Sequence, residues 1–518
     1  MTGMKSMKIY AALLMGAGLA ACTSAPMTET APKAAATGDA WFDGAQATLA
    51  QRKTVKPVKT RAKNVILFIA DGMDPTTVAA ARIYDGQSRG EEGEENLLSF
   101  ERFPNLAMSK TYNTDMQVPD SAGTMSAMAT GYKTRIGHIS VKKEVPRSDC
   151  AASLSAHAPT FVEIAEQAGL STGVISTARL THATPAATYA HVPDRDWERD
   201  TDLPEGAFEA GCRDIASQLI DFPYGDGVDF AMGGGRANFL PEDAKDPEDA
   251  DRTGGRKDGR NLAAEWVSKS DHHAFVWNKE QFDAVDPESD PRVLGLFEIS
   301  HMNYEADRES DKAGEPSLED MTRKAIQILS RDDDGFVLMV EAGRVDHAHH
   351  MGNAARALID AQEYSQAVAA AREMTSPEDT LIIATADHGH TLTFAGYPAK
   401  GNDILGLVRY VSDGGESKLM LAADGKPYTT LGYANGPGSV YHKGVDHRER
   451  PIGDEEEVED LEYLQPSLVP TGSETHGGQD VTIYASGPDA WLFSGVVEQN
   501  YIFHVMMDAL RLDPQVEE

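Results

Sequence analysis

Side chains that bind metal ions stand close together near the middle of the chain. An apolar run, residues 336–340, is followed by Glu341, then by Asp346 and His350. Such a run predicts a buried strand, and open α/β sheets build their sites just past the carboxyl ends of strands. Asp346 and His350 are four residues apart, so on a helix they share one face and can reach the same ion. The stretch therefore predicts a metal site, with a solvated surface cluster as the alternative.

Further apolar runs also lie next to carboxylate or imidazole side chains. Asp71 follows the run 64–70, where it could bind an ion or equally cap the next helix. Because the carboxyl ends of parallel strands meet at one edge of a sheet, residues at several such ends predict a multi-metal site. Mixed His and Asp ligation favours zinc, whereas an oxygen-only subset favours magnesium. The candidate ligands are Asp71, Glu341, Asp346, His350, Asp387, His388 and His476.

Small and hydroxyl-bearing residues crowd a predicted helix start at residues 117–131. Ser121 would there lie beside free backbone N–H groups and the positive end of the helix dipole, which suits an anion. The alternative is that Asp120 or Ser121 only caps the helix. A Ser-His-Asp hydrolase is disfavoured, because Pro119 and Gly123 flank Ser121 where the esterase pattern G-x-S-x-G needs two glycines.

Strand-length apolar runs alternate with helix signals along most of the chain. Thr160 with Glu163, and Ser317 with Asp320, open two of the predicted helices. This alternation predicts the α/β class with a parallel sheet. From about residue 394 to 468, Gly, Pro and Tyr increase and an acidic run appears, which predicts an insertion.

The charge balance excludes some classes of partner. The 518 residues include 47 basic and 82 acidic ones, a net charge of −35. Such a surface disfavours nucleic acid and anionic membranes as partners of the bulk surface. An anionic substrate would need positive charge supplied locally by its site.

The first residues resemble an export signal. Lys5 and Lys8 precede an apolar run at 9–19 that is too short to span a bilayer. The run leads to Leu-Ala-Ala-Cys, which resembles a bacterial lipoprotein box. We therefore predict a signal peptide at 1–21 and lipidation of Cys22, with ordinary secretion as the alternative.

Export has consequences for the next segment and for the cysteines. Residues 22–60, rich in Ala, Thr, Pro and Lys, are predicted to be a flexible tether. Thr23 does not resemble an inner-membrane retention signal, so we expect the periplasmic side of the outer membrane, with membrane contact only through the lipid. In an oxidising compartment Cys150 and Cys212 imply one possible disulfide, with two buried free thiols as the alternative.

Taken together, these stretches closely resemble the alkaline phosphatases, especially their animal-type branch. The resemblance runs from about residue 64 to 512, nearly the whole mature chain. It implies a large, mostly parallel sheet with helices on both faces, one catalytic domain over 61–515, and a homodimer. The region 394–468 corresponds to the crown of that family. The most specific matches are residues 118–124, 341–350, 385–388 and 474–476.

The resemblance also implies roles for individual residues. Ser121 matches the nucleophile that becomes phosphorylated, and Arg195 matches the arginine that grips phosphate oxygens. His347 follows the animal-type pattern and is expected at the substrate. Cys150 and Cys212 match a disulfide pair of that branch. The expected reaction is hydrolysis of small phosphate monoesters.

Two zinc ions and one magnesium ion are implied, with a possible calcium ion at a fourth site. The loop at 307–315 departs from the family in length near that fourth site. The implied ligands are Asp346, His350 and His476 for the first zinc; Asp71, Asp387, His388 and Ser121 for the second; Asp71, Thr184 and Glu341 for magnesium, with His182 beside it; and Glu248, the Phe297 carbonyl, Glu298 and Glu315 for calcium.

Other functions share this metal site. A sulfatase is disfavoured, because residues 121–125 lack the C/S-x-P-x-R pattern. A phosphodiesterase is disfavoured because Arg195 is expected to bind the oxygens of a terminal phosphate. A lipoprotein that only sequesters zinc would need neither Ser121 nor Arg195.

Overall fold

The computed structural model describes residues 38–439, 441 and 452–513. The predicted signal peptide and the lipidation site at Cys22 lie outside the described residues. Two compact units are present, Met1–Val55 and Lys56–Glu518. Among the residues described, no helix has the length and apolar character needed to cross a bilayer.

The first unit contains one described helix, α1, at Ala40–Arg52. Its start is capped by Asp39, whose side chain accepts a hydrogen bond from the backbone N–H of Phe42 at 2.8 Å. None of its residues is buried. The composition predicted a flexible tether here, but this part of it is helical, because the cap precedes a run rich in strong helix formers.

The second unit contains the remaining helices and all the described strands. The other α-helices are α2 Pro75–Gln87, α3 Ser121–Thr130, α4 Cys150–Ser153, α5 Phe161–Gln167, α6 Ala183–Ala186, α7 Ala207–Ala210, α8 Ile215–Ile220, α9 Arg236–Phe239, α10 Leu262–Ser268, α11 Lys279–Ala284, α12 Leu318–Leu329, α13 Arg344–His350, α14 Ala354–Met374, α15 Glu455–Val458 and α16 Tyr501–Leu510. The strands are β1 Asn64–Ala70, β2 Asn105–Lys110, β3 Ser171–Arg179, β4 Phe230–Gly234, β5 His273–Val276, β6 Arg292–Leu296, β7 Phe336–Ala342, β8 Thr380–Thr385, β9 Gly389–His390, β10 Leu392–Phe394, β11 Arg409–Val411, β12 Ser417–Leu419, β13 Leu431–Gly436, β14 Ser467–Pro470, β15 His476–Gly477, β16 Val481–Ser486 and β17 Val496–Glu498.

Ten strands form one sheet in the order β17-β2-β16-β8-β1-β7-β3-β4-β6-β5. Only β16 runs antiparallel to its neighbours, β2 and β8. The six pairs from β8 to β5 are all parallel. The prediction of a large, mostly parallel sheet is confirmed.

Helices cover both faces of this sheet. Side chains of β1 alternate between the faces, because successive residues of a strand point in opposite directions. Val65, Leu67 and Ile69 join a buried cluster with residues of α3, α5 and α16. Ile66 and Phe68 join a second cluster with residues of α2, α12 and α14. The two apolar layers hold the central strands rigidly, so the ends of those strands are fixed points on which a site can be built.

Three small sheets lie outside the large one. β10, β13 and β14 form the first and β11 and β12 the second, all within or beside the predicted insertion at 394–468. β9 pairs antiparallel with β15, which places His390 opposite His476. Cys150 and Cys212 form a disulfide.

Candidate metal centre and active site

The register of the central strands brings distant carboxylates together. Ile69 of β1 lies level with Glu341 of β7 and with Thr385 of β8. Asp71 and Asp387 each follow two residues later, so both emerge beside Glu341 at the same edge of the sheet. All three carboxylates are completely buried.

Three histidines surround the carboxylate of Asp346. Its Oδ1 atom lies 2.8 Å from Nε2 of His390 and 3.3 Å from Nε2 of both His350 and His476. Burial by itself would raise the pKa of Asp346, but the histidines reverse this and hold its pKa well below the usual range. The sequence predicted three of these four residues as a group, and the structure adds His390.

The Nδ1 atoms decide which of these histidines can bind an ion. His350 donates from Nδ1 to the carbonyl of Glu474 at 2.6 Å, and His476 donates from Nδ1 to the carbonyl of Pro119 at 2.8 Å. Each therefore keeps a free electron pair on Nε2.

His390 has no free nitrogen, because it donates from Nδ1 to the Glu474 carboxylate at 2.6 Å and from Nε2 to Asp346. Burial lowers the pKa of His390, but these two hydrogen bonds outweigh burial and raise it to about 10. His390 thus acts as a cation that holds Asp346. The side chains available to ligate at this position are those of Asp346, His350 and His476.

A second group forms around Ser121. Its Oγ atom lies 3.1 Å from Nε2 of His388 and 3.3 Å from Oδ2 of Asp71. The same His388 nitrogen is 3.3 Å from carboxylate oxygens of both Asp71 and Asp387. Thr124, one turn further along α3, donates to Asp387 at 3.1 Å. The hydroxyl predicted as a nucleophile therefore faces three predicted metal ligands.

A third group combines Asp71, Glu341 and His182. Ser176 donates to one carboxylate oxygen of Glu341, whereas the other oxygen, Oε1, has no partner among the described residues. Thr184 Oγ1 and His182 Nδ1 are also buried without a hydrogen bond to any described residue. Buried polar atoms without partners are rare in folded proteins and indicate a missing ligand.

Electrostatics shows that these groups fit divalent cations. Burial, together with the nearby carboxylates of Asp387 and Asp346, raises the pKa of Asp71 well above its ordinary value. Burial likewise raises the pKa of Glu341 to about 7. Buried carboxylates that repel one another need positive charge between them to ionise. Carboxylate oxygens and neutral imidazole nitrogens are the donors that zinc and magnesium take in proteins.

Arg195 is held beside this cluster by two contacts. Its Nη1 donates to Asp120 Oδ2 at 3.1 Å, and its Nη2 lies 3.2 Å from Nε2 of His182. Asp120 also caps α3 and accepts backbone N–H bonds from Gly123 at 3.0 Å and Gly137 at 2.9 Å. One carboxylate therefore fixes both the helix that starts with Ser121 and the guanidinium group.

His347 belongs to a group of three histidine rings. Its centroid lies 4.1 Å from that of His301 and 5.4 Å from that of His182. Arg344 donates to Nδ1 of His347 at 3.1 Å. Since a guanidinium group can only donate, Nδ1 must accept, and the proton of the neutral ring is on Nε2. Burial lowers the pKa of His347 to about 3, so this ring is neutral.

A fourth acidic group lies apart from the others. It consists of Glu248, Glu298 and Asp311, whose carboxylates approach within 4.8 Å of one another. Glu315 was predicted in this position; its Oε1 accepts the backbone N–H of Asn303 at 2.9 Å, and its Oε2 is buried without a partner among the described residues. Asp311, which was not predicted, lies beside Glu248 and Glu298. The Phe297 carbonyl accepts from Arg236 at 2.6 Å.

Three residues of the site are not among the predicted ligands or substrate contacts. His390 stands in the sequence Asp-His-Gly-His at 387–390, so the sequence shows a second histidine near the strand end. Glu474 immediately precedes Thr475-His476, and Asp120 immediately precedes Ser121. Their positions beside predicted site residues are the signal that the sequence offers for them.

Comparisons with known proteins place the chain in one family. The alkaline phosphatase family model matches residues 62–512. The chain is 43% identical over 473 residues to the alkaline phosphatase of Gadus morhua, covering 90% of this chain and 95% of that protein. It is 42% identical over 478 residues to the tissue-nonspecific isozyme of Homo sapiens, covering 90% and 87%.

Solved structures show the same fold. The alkaline phosphatase of Thermus thermophilus superposes with a TM-score of 0.61 at 23% identity, covering 89% of this chain and 94% of that one. The enzyme of the Antarctic bacterium TAB5 gives 0.58 at 22% identity, covering 88% and 99%. An α/β sheet with clustered His and Asp side chains at its strand ends is the arrangement expected of a metal-dependent hydrolase. The chain belongs to the alkaline phosphatase family, whose members act on phosphate monoesters.

Proposed function

We propose that this chain hydrolyses phosphate monoesters in two steps through a phosphorylated Ser121, with two zinc ions and one magnesium ion as cofactors. Divalent cations bound at the three groups would neutralise the phosphate charge and lower the pKa of the Ser121 hydroxyl. The residues that would hold them are Asp346, His350 and His476 for the first zinc, Asp71, Asp387 and His388 for the second, and Asp71, Thr184 and Glu341 for magnesium.

The chemistry assigned to the protein begins at Ser121. Its Oγ attacks phosphorus, and the bond from phosphorus to the ester oxygen breaks as the Oγ–P bond forms. The hydroxyl proton of Ser121 is released as Oγ attacks, and the leaving alkoxide takes up one proton, so the alcohol departs with no net change in protons. A water molecule then attacks phosphorus from the side opposite Oγ and loses a proton; the Oγ–P bond breaks, Oγ takes up a proton, and phosphate is released. Two in-line displacements in succession predict retention of configuration at phosphorus.

Arg195 and His347 would bind the phosphate group in this scheme. The guanidinium of Arg195 can donate two parallel hydrogen bonds to phosphate oxygens, and Asp120 keeps its plane fixed. His347 offers an Nε2–H donor, because Arg344 occupies its Nδ1. Both donors matter in a chain of net charge −35, which otherwise repels a dianion.

The observation that carries the proposal is the position of the Ser121 hydroxyl. It lies at the first residue of a buried helix, 3.1 Å from His388 and 3.3 Å from Asp71. A serine there is surrounded by groups that can polarise it, whereas a mere helix cap would not need them.

The test uses Ser121→Ala with Ser126→Ala as a matched control on the same helix. Ser126 donates to the His138 carbonyl at 3.0 Å and touches none of the three groups. We expect Ser121→Ala to lose essentially all hydrolysis of p-nitrophenyl phosphate and all labelling by radioactive phosphate, while Ser126→Ala keeps both. Labelling of Ser121→Ala at the parent level would refute the phosphoserine intermediate.

The alternative is a diesterase or other phosphoryl or sulfuryl hydrolase that uses the same site. The ratio of monoester to diester hydrolysis decides between them, and the position of Arg195 favours the monoester. Elemental analysis of the purified protein tests the proposed two zinc and one magnesium per chain.

The remaining expectations are proposals of the same kind. We propose a homodimer, tested by light scattering, and export with a lipid on Cys22, tested by the mass of the mature amino terminus. Calcium is proposed at Glu248, Glu298, the Phe297 carbonyl and Glu315, with Asp311 as a further carboxylate, because the carboxylates of Glu248, Glu298 and Asp311 approach within 4.8 Å of one another.

A further inference from the structure

One segment of this acidic protein carries a concentrated positive charge. Residues 131–147, here named the basic rim, contain five basic residues and one acidic residue, Glu144. Over the whole chain, acidic residues outnumber basic ones by 82 to 47. The basic residues of the rim are Lys133, Arg135, Lys142, Lys143 and Arg147.

Three of these charges are not neutralised by described carboxylates. Lys133 pairs with Glu498 at 3.0 Å, and Arg147 pairs with Asp194 at 3.0 Å. For Arg135, Lys142 and Lys143, no ion pair with any carboxylate is present in the part of the chain that the structure describes. Arg135 and Lys143 are exposed, and Lys142 is half-buried.

Hydrogen bonds anchor the basic rim to the phosphate-binding residues. Gly137, in the middle of the rim, donates its N–H to Asp120 at 2.9 Å and accepts the N–H of Arg195 at 2.8 Å. Arg135 donates from Nε to the carbonyl of Lys143 at 2.7 Å, which ties the two arms of the loop together. The backbone of the rim is therefore hydrogen-bonded directly to Arg195, the arginine that is proposed to bind phosphate, and to the carboxylate that holds it.

A positive rim at this position changes how anions approach. The net charge of −35 repels a phosphate dianion at long range, and a local patch of opposite sign raises the concentration of anions at the entrance. We propose that the basic rim attracts anionic substrates to the site and favours small phosphate esters that carry additional negative charge beyond the scissile phosphate. This inference rests on the proposed phosphomonoesterase activity.

The test neutralises the rim without touching the groups around Ser121. The variant Arg135→Gln, Lys142→Gln, Lys143→Gln is compared with Arg252→Gln, Lys257→Gln, Lys269→Gln, which removes the same charge from exposed residues between α9 and the edge strand β5. Glucose 6-phosphate and glucose 1,6-bisphosphate serve as substrates that differ by one phosphate group.

We expect the rim variant to lose about threefold to tenfold in kcat/KM for the bisphosphate at about 10 mM ionic strength, with a smaller loss for the monophosphate. The loss should vanish at about 1 M salt, where the Debye length is about 3 Å. kcat of the rim variant should stay unchanged, and the control variant should keep the parent's kcat/KM for both substrates. Lys143→Gln alone should show part of the same effect, which guards against a folding defect of the triple variant.

Two results would overturn the inference. One is equal kcat/KM and an equal salt dependence for the rim variant and the parent. The other is an equal loss for both substrates that persists at high salt. If the parent itself shows no turnover, the proposed function fails. Calorimetric binding of inorganic phosphate then tests the rim separately, and the rim variant should bind it more weakly at low salt only.

Discussion

Glu474 is the residue whose replacement tests the architecture of the first metal group most directly. Its buried carboxylate accepts hydrogen bonds from His390 Nδ1, from the Thr391 backbone N–H and from the Thr391 hydroxyl, each at 2.6 Å. Its backbone carbonyl accepts from His350 at 2.6 Å. One residue thus orients two of the three histidines around Asp346.

Glu474→Gln keeps the shape of the side chain but replaces one oxygen by an amide NH2 group. Turned one way, the NH2 faces the Thr391 N–H, which then loses its partner. Turned the other way, it faces Nδ1 of His390, which must release its proton in order to accept, so the contact that holds His390 is weakened in both cases. An unpaired buried donor costs about 1–3 kcal/mol. Outer-shell changes of this kind lower metal affinity by about tenfold to a hundredfold. The two figures agree, since about 1.4 kcal/mol corresponds to a factor of ten.

The assay is a zinc titration of metal-free protein against a competing chelator. Glu474→Gln should bind zinc about tenfold to a hundredfold more weakly than the parent. Thr393→Ala, at an exposed residue of β10 whose hydroxyl donates to the Gly432 carbonyl at 2.9 Å, should bind like the parent. Thermal unfolding of both metal-free variants shows whether the change reaches beyond the site. An unchanged zinc affinity in Glu474→Gln would refute the idea that this carboxylate positions the histidines.

Two further predictions concern stability. Burial and the nearby charge of Asp229 raise the pKa of Glu166 from 4.5 to about 8, so the stabilising contribution of Glu166 is complete below pH 4.5 and is lost as the pH rises through 8. Glu166→Gln should therefore unfold at a higher temperature than the parent at pH 9 and at nearly the same temperature at pH 4.5. Equal differences in unfolding temperature at both pH values would contradict this. The disulfide between Cys150 and Cys212 closes a loop with a sequence separation of 62, so replacing both cysteines by Ala should lower the free energy of unfolding by about 4 kcal/mol. Urea denaturation measures this free energy, and a parent whose stability does not change on adding reductant would count against the prediction.

Several elements were predictable because their signals are local. The apolar run at 64–70 coincides with β1, and the run at 336–340 lies within β7. Thr160 and Glu163 form the capping box that their spacing predicted. Strand-length apolar runs and cap residues act within a few residues of themselves, so no tertiary information is needed to recognise them.

The short elements were not predictable. β9 and β15 are two residues long each and have no periodicity to detect, yet their pairing brings His390 against Asp346. The helix at Ala40–Arg52 was hidden within a composition typical of a tether. Asp311 lies beside Glu248 and Glu298 on an irregular loop, whose path depends on what it packs against.

The sequence by itself determined which side chains stand at the ends of strands and at the start of the nucleophile helix, since apolar runs, caps and the i, i+4 spacing of Asp346 and His350 are local properties. Only the tertiary structure decided which of these side chains lie close enough together to share an ion and which hold one another in place. The parallel register of β1, β7 and β8 sets Asp71, Glu341 and Asp387 side by side across more than 300 residues of chain. The double hydrogen bond of His390 turns a potential ligand into a fixed cation. Hydrogen-bond partners far apart in the sequence depend on the packing of the whole sheet, which no single stretch of residues encodes.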